Sequence, residues 1–363
     1  YTTLFRSYMK NRKINIKKST LTTLITIAGI IIAYIIMNTL SNGGFLSYKM
    51  QGLLVPICAY AILAVSLNLV VGLLGELSLG HAGFLYVGAY TGAIFTNITA
   101  DMISNDLVRF ILGMVVGGVF AAIFGLIIGS AVLKLQGDYL AIVTLAFGEI
   151  IKSVLGNVLY ISKDSSGLHF DVTDGSTLNP QDIIAKGAQG ITVQRLSTFL
   201  IGIILLILTV IIVMNLSDSR AGRAIKAVRD NKIATEAVGI SVSKYRLMAF
   251  TISAALAGVA GVYYAHNFAT LTGTKFDFNF SINILVMVVL GGMGNIPGSI
   301  IAAIILTILP EEIRFLGNYR MVIYAVVLIV MMIFSWNPKC IEFRKVVSTK
   351  VKSVFKKKNK EVQ

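Results

Sequence analysis

Long apolar runs, unbroken by charge, most constrain what this chain can fold into. LTTLITIAGIIIAYIIMNTL (21–40) is one of them, and equally clear runs lie at 110–133, 196–214 and 321–336. A helix needs about 20 such residues to cross about 30 Å of hydrocarbon. Because the bilayer core contains no water, each segment must satisfy its own backbone polar groups, which a helix does. The sequence therefore predicts an all-α polytopic integral membrane protein.

Basic residues indicate which way the chain sits in the membrane. Segments 1–20, 215–246 and 337–363 hold 22 of the 32 Lys and Arg residues but only 5 of the 17 acidic residues. Lys and Arg close to membrane spans stay on the cytoplasmic side. We therefore expect a cytoplasmic N-terminal segment (1–20), a cytoplasmic loop (215–246) and a cytoplasmic tail (337–363), with the polar loop 162–195 outside. The transmembrane domain is expected over 21–336.

An arrangement with both termini in the cytoplasm requires about ten spans. They are expected near 21–41, 53–75, 79–95, 110–133, 138–161, 196–216, 246–266, 281–296, 297–311 and 320–336. The eighth and ninth are short, and GGMGNIP (291–297) is expected to turn between them. Gly-x-x-x-Gly spacings starting at Gly88, Gly113 and Gly125 predict closely packed helices.

Several other classes of protein are not favoured by the sequence. The net charge of +15 is explained by orientation and by attraction to the anionic inner leaflet, so we do not expect nucleic acid binding. There is no GxxxxGK[ST] phosphate loop, and the three scattered histidines predict no metal site. Cys58 and Cys340 do not predict a disulfide. No set of acid, base and nucleophile indicates an intramembrane enzyme.

One charged stretch, GRAIKAVRDNKIATEAVGI (222–240), interrupts the apolar chain inside the loop 215–246. Asp230 as N-cap and Gly239 just after the C-terminus predict a short helix over 231–238. Five apolar residues are expected on one face of this region: Ile225, Val228, Ile233, Ala237 and Ile240. The stretch is either a solvated loop that only fixes orientation or a docking helix for a cytoplasmic partner.

Polar residues within the apolar segments give a second group of candidates. Asn68, Glu76, Ser78 and His81 lie where the second span turns into the third, and they predict either a tight packed turn or a broken helix that lines a path. Glu149 with Lys152 predicts either a buried ion pair or a charge that lines the path. The candidate residues of a translocation path are Asn68, Ser78, His81, Tyr90, Thr144 and Glu149.

Several long blocks, taken together, resemble a known family. LNLVVGLLGELSLGHAGFLYVGAYTGA (67–93), GDYLAIVTLAFGEII (137–151) and the stretch 222–250 resemble signature segments of the branched-chain amino acid permeases of LivM type, as does ILVMVVLGGMGNIPGSIIAA (284–303). Glu236-Ala237 followed by Gly239 resembles the coupling loop of ATP-binding-cassette importers. The coupling residues that this resemblance implies are Arg223, Arg229, Asp230, Asn231, Ala234, Glu236, Ala237 and Gly239.

The resemblance implies one subunit of a larger importer in the bacterial cytoplasmic membrane. Its partners would be a second related permease, two cytoplasmic ATPases that bind ATP and Mg²⁺, and an extracytoplasmic solute-binding protein. Anionic lipid is expected around the basic tail. Leucine, isoleucine and valine are the implied substrates, while urea, short amides or sugars are handled by related permeases. A self-sufficient secondary carrier remains an alternative of another class.

Overall fold

The computed structural model describes residues 18–330, apart from 134, 136, 159, 165–166, 172–182, 314–318, 320–321 and 324. Residues 1–17 of the predicted N-terminal segment, the predicted tail 337–363 and most of the tenth span lie outside the described residues. Two compact units divide the chain, Tyr1–Ile304 and Ile305–Gln363. The first unit contains the elements described below as far as the first half of the last helix.

Eleven helices are formed by the described residues of the chain. They are α1 (Lys18–Asn42), α2 (Tyr48–Asn68), α3 (His81–Ile98), α4 (Asp106–Val132), α5 (Asp138–Ser153), α6 (Phe199–Asp218), α7 (Arg220–Asp230), α8 (Lys232–Ala237), α9 (Val242–Ala265), α10 (Phe278–Gly291) and α11 (Ile296–Glu312). Two π-helical segments, Leu69–Leu74 and Val154–Val158, continue α2 and α5. The prediction of a helical, multi-pass membrane protein is confirmed.

Seven helical segments of the described chain are long and apolar enough to cross a membrane. They begin at Leu21, Tyr48, Asp106, Asp138, Phe199, Val242 and Gly273. The third and ninth predicted spans correspond to α3 and α11. Neither helix is among these seven. Helix α11 has 17 residues, and α3 opens with a histidine and carries polar residues along its length. The predicted turn after the eighth span is confirmed within 291–297, where α10 ends at Gly291 and Gly292 and Gly294 both take positive φ angles.

Helices α3, α4 and α9 pack closely at the centre of the first unit. A Cβ at Gly88 of α3 would overlap the backbone of Gly258 in α9, and a Cβ at Gly117 of α4 would meet the carbonyl oxygen of Gly88. Small residues let helix backbones approach to this extent. The packing role predicted for the glycine spacings is confirmed at these positions.

A small antiparallel sheet was not predicted from the sequence. Its strands are β1 (Tyr160–Asp164), β2 (Gly167–Asp171), β3 (Ile183–Lys186), β4 (Ile191–Thr192) and β5 (Thr270–Leu271), in the order β2-β1-β3-β4-β5. The first four lie around the predicted polar loop 162–195, and β5 follows α9. The sheet therefore joins the loop before α6 to the loop after α9.

Helix direction and hydrogen bonds sort the loops of the first unit into two ends. At the sheet end, which contains 99–105, the strands β1 to β4, 193–198 and 266–277, Asn97 donates to the carbonyl oxygen of Thr192 at 2.9 Å. At the other end, which contains 75–80, the described residues of 133–137, 219–241 and 292–295, the side-chain stem of Arg229 lies against Gly75. We call this second end the coupling-loop end.

Candidate functional site

The candidate site is the interruption between α2 and α3, residues 75–80, which we call the break. Helix α2 widens into the π-helical segment Leu69–Leu74 and ends at Gly75, whose φ of 79° suits glycine. The next helix begins at His81. An interruption of this kind frees backbone groups that must find partners inside the protein. A broken helix is one of the two structures that the sequence predicted here.

Side chains from two other helices bind the backbone of the break. Thr144 of α5 accepts a hydrogen bond from the amide of Leu79 at 3.2 Å. Ser281 of α10 accepts one from the amide of Ala82 at 3.1 Å. Backbone groups left free by the interruption are therefore satisfied by residues far away in the sequence.

Asn68 connects the end of α2 to the turn 292–295. Its Oδ1 accepts a hydrogen bond from the amide of Gly294, and its Nδ2 donates to Oγ of Ser299, each at 2.8 Å. Asn68 is fully buried. The carboxamide thus both accepts and donates a hydrogen bond. The two segments can approach this closely because Gly72 and Gly294 carry no side chains where they meet.

A buried ion pair joins the break to α9. Glu76 pairs with Arg246, whose guanidinium also donates to the carbonyl oxygens of Leu133 and Leu135. Burial raises the pKa of Glu76 above its ordinary value, although Arg246 and Lys232 both favour the carboxylate. The loop after α4 and the start of α9 are therefore fixed to the break through one arginine.

The loop 215–246, which we call the coupling loop, contains two helices where the sequence predicted one. Asp230 is the last residue of α7 and not the N-cap, so that prediction is wrong. Asn231 caps α8 because its backbone is extended and its Oδ1 accepts a hydrogen bond from the amide of Ala234 at 3.0 Å. Gly239 has a φ of 81°, which confirms its place just after the helix.

The two helices bury different residues, so the single apolar face predicted for this region is wrong. Ile225 and Val228 are buried on α7. By contrast, Ile233 on α8 is 81% exposed and Val238 is 73% exposed. The extended conformation of Asn231 reorients the chain between the two helices. An apolar surface is therefore left open at the tip of the coupling loop.

The coupling residues implied by the resemblance fall on both helices. All eight are exposed: Arg223, Arg229 and Asp230 on α7, the cap Asn231, and Ala234, Glu236, Ala237 and Gly239 on or just after α8. Arg223 donates to the carbonyl oxygen of Asp218 at 3.0 Å. The exposed acidic and small residues of α8 thus lie beside the open apolar surface.

Arg229 connects the coupling loop to the break. Its Nη1 donates to the carbonyl oxygen of Gly72 in the π-helical segment at 2.6 Å. Its aliphatic stem lies against Gly75, where a Cβ would come within 2.7 Å of Cγ of Arg229. The sequence did not reveal this contact, because 157 residues separate the two groups.

The structure places five of the six candidate path residues in the packed interior of the chain. Asn68, Ser78, His81, Tyr90 and Thr144 are buried. His81 exchanges a hydrogen bond with Ser66 at 2.7 Å, and Tyr90 packs against Tyr86. In the part of the chain that the structure describes, Oγ of Ser78 has no hydrogen-bond partner.

Glu149 differs from the other five candidates because it lies on the surface of the chain. It forms an ion pair with Lys152 one turn along α5. The side chain of Glu149 is 40% exposed and that of Lys152 is 25% exposed. The pair that the sequence predicted therefore exists, but it is only half-buried.

Metal chemistry has no support at this site. Within the described residues, no three His, Cys, Asp or Glu side chains come together in a way that could hold a metal ion. Cys58 is buried with a free thiol. What the geometry offers is a mechanical connection between an exposed loop and a broken helix.

Comparison with known proteins places the chain in one family. Residues 49–335 match the family described as "Branched-chain amino acid transport system / permease component". The chain is 34% identical over 303 residues to the high-affinity branched-chain amino acid transport system permease protein LivM of Escherichia coli (strain K12), covering 77% of this chain and 67% of that protein.

More distant relatives have the same kind of name. LivH of the same organism is 26% identical over 256 residues, covering 69% of this chain and 80% of LivH. The ribose import permease protein RbsC is 25% identical over 314 residues, covering 84% of this chain and 90% of RbsC. No solved structure matches the chain significantly. With its membrane-spanning helices and most of its length matched, the chain belongs to the family of permease components of branched-chain amino acid transport systems.

Proposed function

We propose that this chain is the membrane-spanning permease subunit of an ATP-binding-cassette importer. It would carry leucine, isoleucine and valine into the cell across the bacterial cytoplasmic membrane. The observation that carries the proposal is the 34% identity to LivM over 77% of this chain, together with the family match over 49–335, which includes the break and the coupling loop. The chain itself would hydrolyse no ATP, and its partner subunits would bind ATP and Mg²⁺.

The coupling-loop end would face the cytoplasm and the sheet end the outside. Charge supports this orientation, because the segment 215–246 holds seven basic residues against three acidic ones, and Lys and Arg stay inside. One of the two cytoplasmic ATPases would then bind the coupling loop, with Ile233 and Val238 filling an apolar groove and Glu236 fixing the register. A solute-binding protein would deliver the amino acid at the sheet end.

Arg229 would carry the motion of the ATPases into the membrane. It is bonded to Gly72, and the same π-helical segment is next to Asn68, which holds the turn 292–295. A displacement of α7 and α8 would therefore pull on the break and, through Asn68, on the start of α11. π-Helical segments are frequently found at functional sites. The path would open beside this break, where Ser78, His81, Tyr90 and Thr144 would move with it.

A second, related permease would complete the membrane domain, and anionic lipid would surround the basic tail. Ribose transport is a second candidate function, because the match to RbsC covers more of the chain. The lower identity of that match, 25% against 34%, favours branched-chain amino acids.

The test is uptake of labelled leucine by the complete transporter reconstituted in liposomes. We expect uptake with ATP inside and none with an ATPase subunit that cannot hydrolyse it. Glu236→Lys changes the exposed surface of the coupling loop, and Gly239→Leu changes its turn. Each variant should therefore leave ATP hydrolysis intact and abolish uptake. Uptake by this chain alone, driven by an ion gradient, would contradict the proposal and indicate a secondary carrier.

A further inference from the structure

The exposed side of α5 differs from the exposed sides of the other long helices. Between its ends, α4 exposes apolar residues such as Val115, Phe120 and Ile127. Helix α6 likewise exposes Leu200, Ile204, Leu208 and Ile212. These surfaces suit lipid tails. The exposed stripe of α5 instead combines apolar residues with the Glu149–Lys152 ion pair.

The ion pair lies near the middle of its span. Glu149 is eleven residues after Asp138, which places it about 16 Å along the helix at 1.5 Å per residue. The continuous helical segment runs from Asp138 to Val158, and a hydrocarbon core is about 30 Å thick. Glu149 is therefore far from the water at either end, whereas Lys152, one turn further along, lies against Gly273 of the sheet end.

A half-exposed charge at this depth is not compatible with contact with lipid tails. Ionisable residues within spans face a partner or a water-filled cavity, because a charge in hydrocarbon is costly. Pairing Glu149 with Lys152 keeps the empty site neutral, but two half-exposed side chains still present polar atoms outward. The stripe around them therefore faces a partner or a water-filled cavity and not lipid.

We propose that Glu149 and Lys152 form the subsite that holds the charged groups of the transported amino acid. The carboxylate of Glu149 would bind the α-ammonium group, and the ammonium of Lys152 would bind the α-carboxylate. On binding, Glu149 would exchange the ammonium of Lys152 for that of the amino acid, and Lys152 would exchange the carboxylate of Glu149 for that of the amino acid. No charge would then be left without an opposite partner. This inference rests on the proposed function, because it takes the substrate to be a zwitterion.

The surroundings fit an amino acid with a branched apolar side chain. Ile142, Ala146 and Ile150 lie along the same exposed stripe and offer an apolar wall. Gly273, which has no side chain, lies next to Lys152. A Cβ placed on Gly273 would lie 3.6 Å from Cγ of Lys152 and 3.3 Å from the hydroxyl of Tyr86. The stem of Lys152 therefore packs against the backbone at Gly273, which in turn lies against Gly156.

Neutralising both residues separates a binding role from a structural one. In Glu149→Gln/Lys152→Gln, no unpaired charge remains, so a purely structural pair would be replaced with little loss. A zwitterion subsite predicts instead that the KM for leucine rises about thirtyfold or more in the double variant, while the subunits copurify as in the wild type. A double variant with the wild-type KM would overturn the inference.

Substrate protection provides a second measurement that does not depend on how the neutral variants fold. In the complete transporter with Cys58→Ala and Cys340→Ser, Ala146→Cys should react with a small water-soluble methanethiosulfonate. We expect L-leucine to slow this reaction at least threefold, whereas 4-methylpentanoate, which has no ammonium group, and 3-methylbutylamine, which has no carboxylate, do not. Met102→Cys, which is exposed at the sheet end, is the control and should react at the same rate with and without leucine.

Equal protection by all three compounds would overturn the inference, and so would no protection by leucine. The proposed function is tested separately by wild-type, ATP-driven uptake of leucine. If that uptake occurs and the protection pattern is absent, only the role of Glu149 and Lys152 is wrong. If the wild-type complex takes up no leucine with ATP, the proposed function is wrong.

Discussion

Replacing Arg229 with methionine should uncouple ATP hydrolysis from transport. The change keeps most of the aliphatic stem that lies against Gly75 and removes the guanidinium that donates to the carbonyl oxygen of Gly72 at 2.6 Å. Hydrogen bonds to charged groups contribute about 1.5–3 kcal/mol. Because Arg229 as a whole is exposed, we take the lower end, about 1.5 kcal/mol. That free energy corresponds to about a tenfold change in an equilibrium.

The assay compares leucine taken up per ATP hydrolysed in proteoliposomes that contain the complete transporter. For Arg229→Met we expect ATP hydrolysis close to wild type and uptake per ATP lowered about tenfold. Lys244→Met is the control, because Lys244 is an exposed cation at the start of α9, at the same end of the molecule. Wild-type uptake per ATP in Arg229→Met would refute the idea that this contact transmits the motion.

Three further changes test the contacts around the break and the helix packing. Asn68→Ala removes two hydrogen bonds, one from the amide of Gly294 and one to the buried Ser299, and should destabilise the purified complex by about 1–3 kcal/mol, seen as a lower unfolding temperature; an unchanged temperature would contradict the assigned contacts. Arg246→Met leaves buried Glu76 unpaired and should lower the free energy of unfolding by about 3–5 kcal/mol. Glu76→Gln should lower it by less. If Glu76→Gln unfolded at the lower temperature of the two, the ion pair would be assigned wrongly. Gly88→Leu should prevent folding, because the new side chain would overlap the backbone of Gly258. Gly52→Ala is the control and should express like wild type, because a Cβ at Gly52 has no atom within 4 Å. Equal yields of the two variants would refute the close packing of α3 and α9.

The sequence predicted the helical class because apolar runs of span length have few other structures available to them. The close packing at Gly88 and the turn near Gly292 were also predictable, since glycine spacing and glycine-rich turns are local features. The small sheet was missed because its strands have only two to five residues. Strands this short give no reliable alternation of polar and apolar residues.

The residues of the candidate site were predictable, but their partners were not. Asn68, Glu76 and His81 stood out because polar residues are rare in apolar segments. Their partners Gly294, Arg246 and Ser66 come from contacts between helices, and no spacing rule predicts them. The N-cap of α8 was placed on Asp230 because Asp and Asn are both good caps. The extended backbone of Asn231, which decides between them, is a property of the folded chain.

The most direct test of the account asks what the tip of the coupling loop contacts. A photo-crosslinking amino acid is introduced at Ile233, which is 81% exposed on α8, and in a second variant at Met102, which is 79% exposed at the sheet end. The complete transporter is then irradiated and the crosslinked products are identified. The account predicts a product with the ATPase subunit from position 233 and none from position 102. An ATPase product from position 102, or none from position 233, would contradict it.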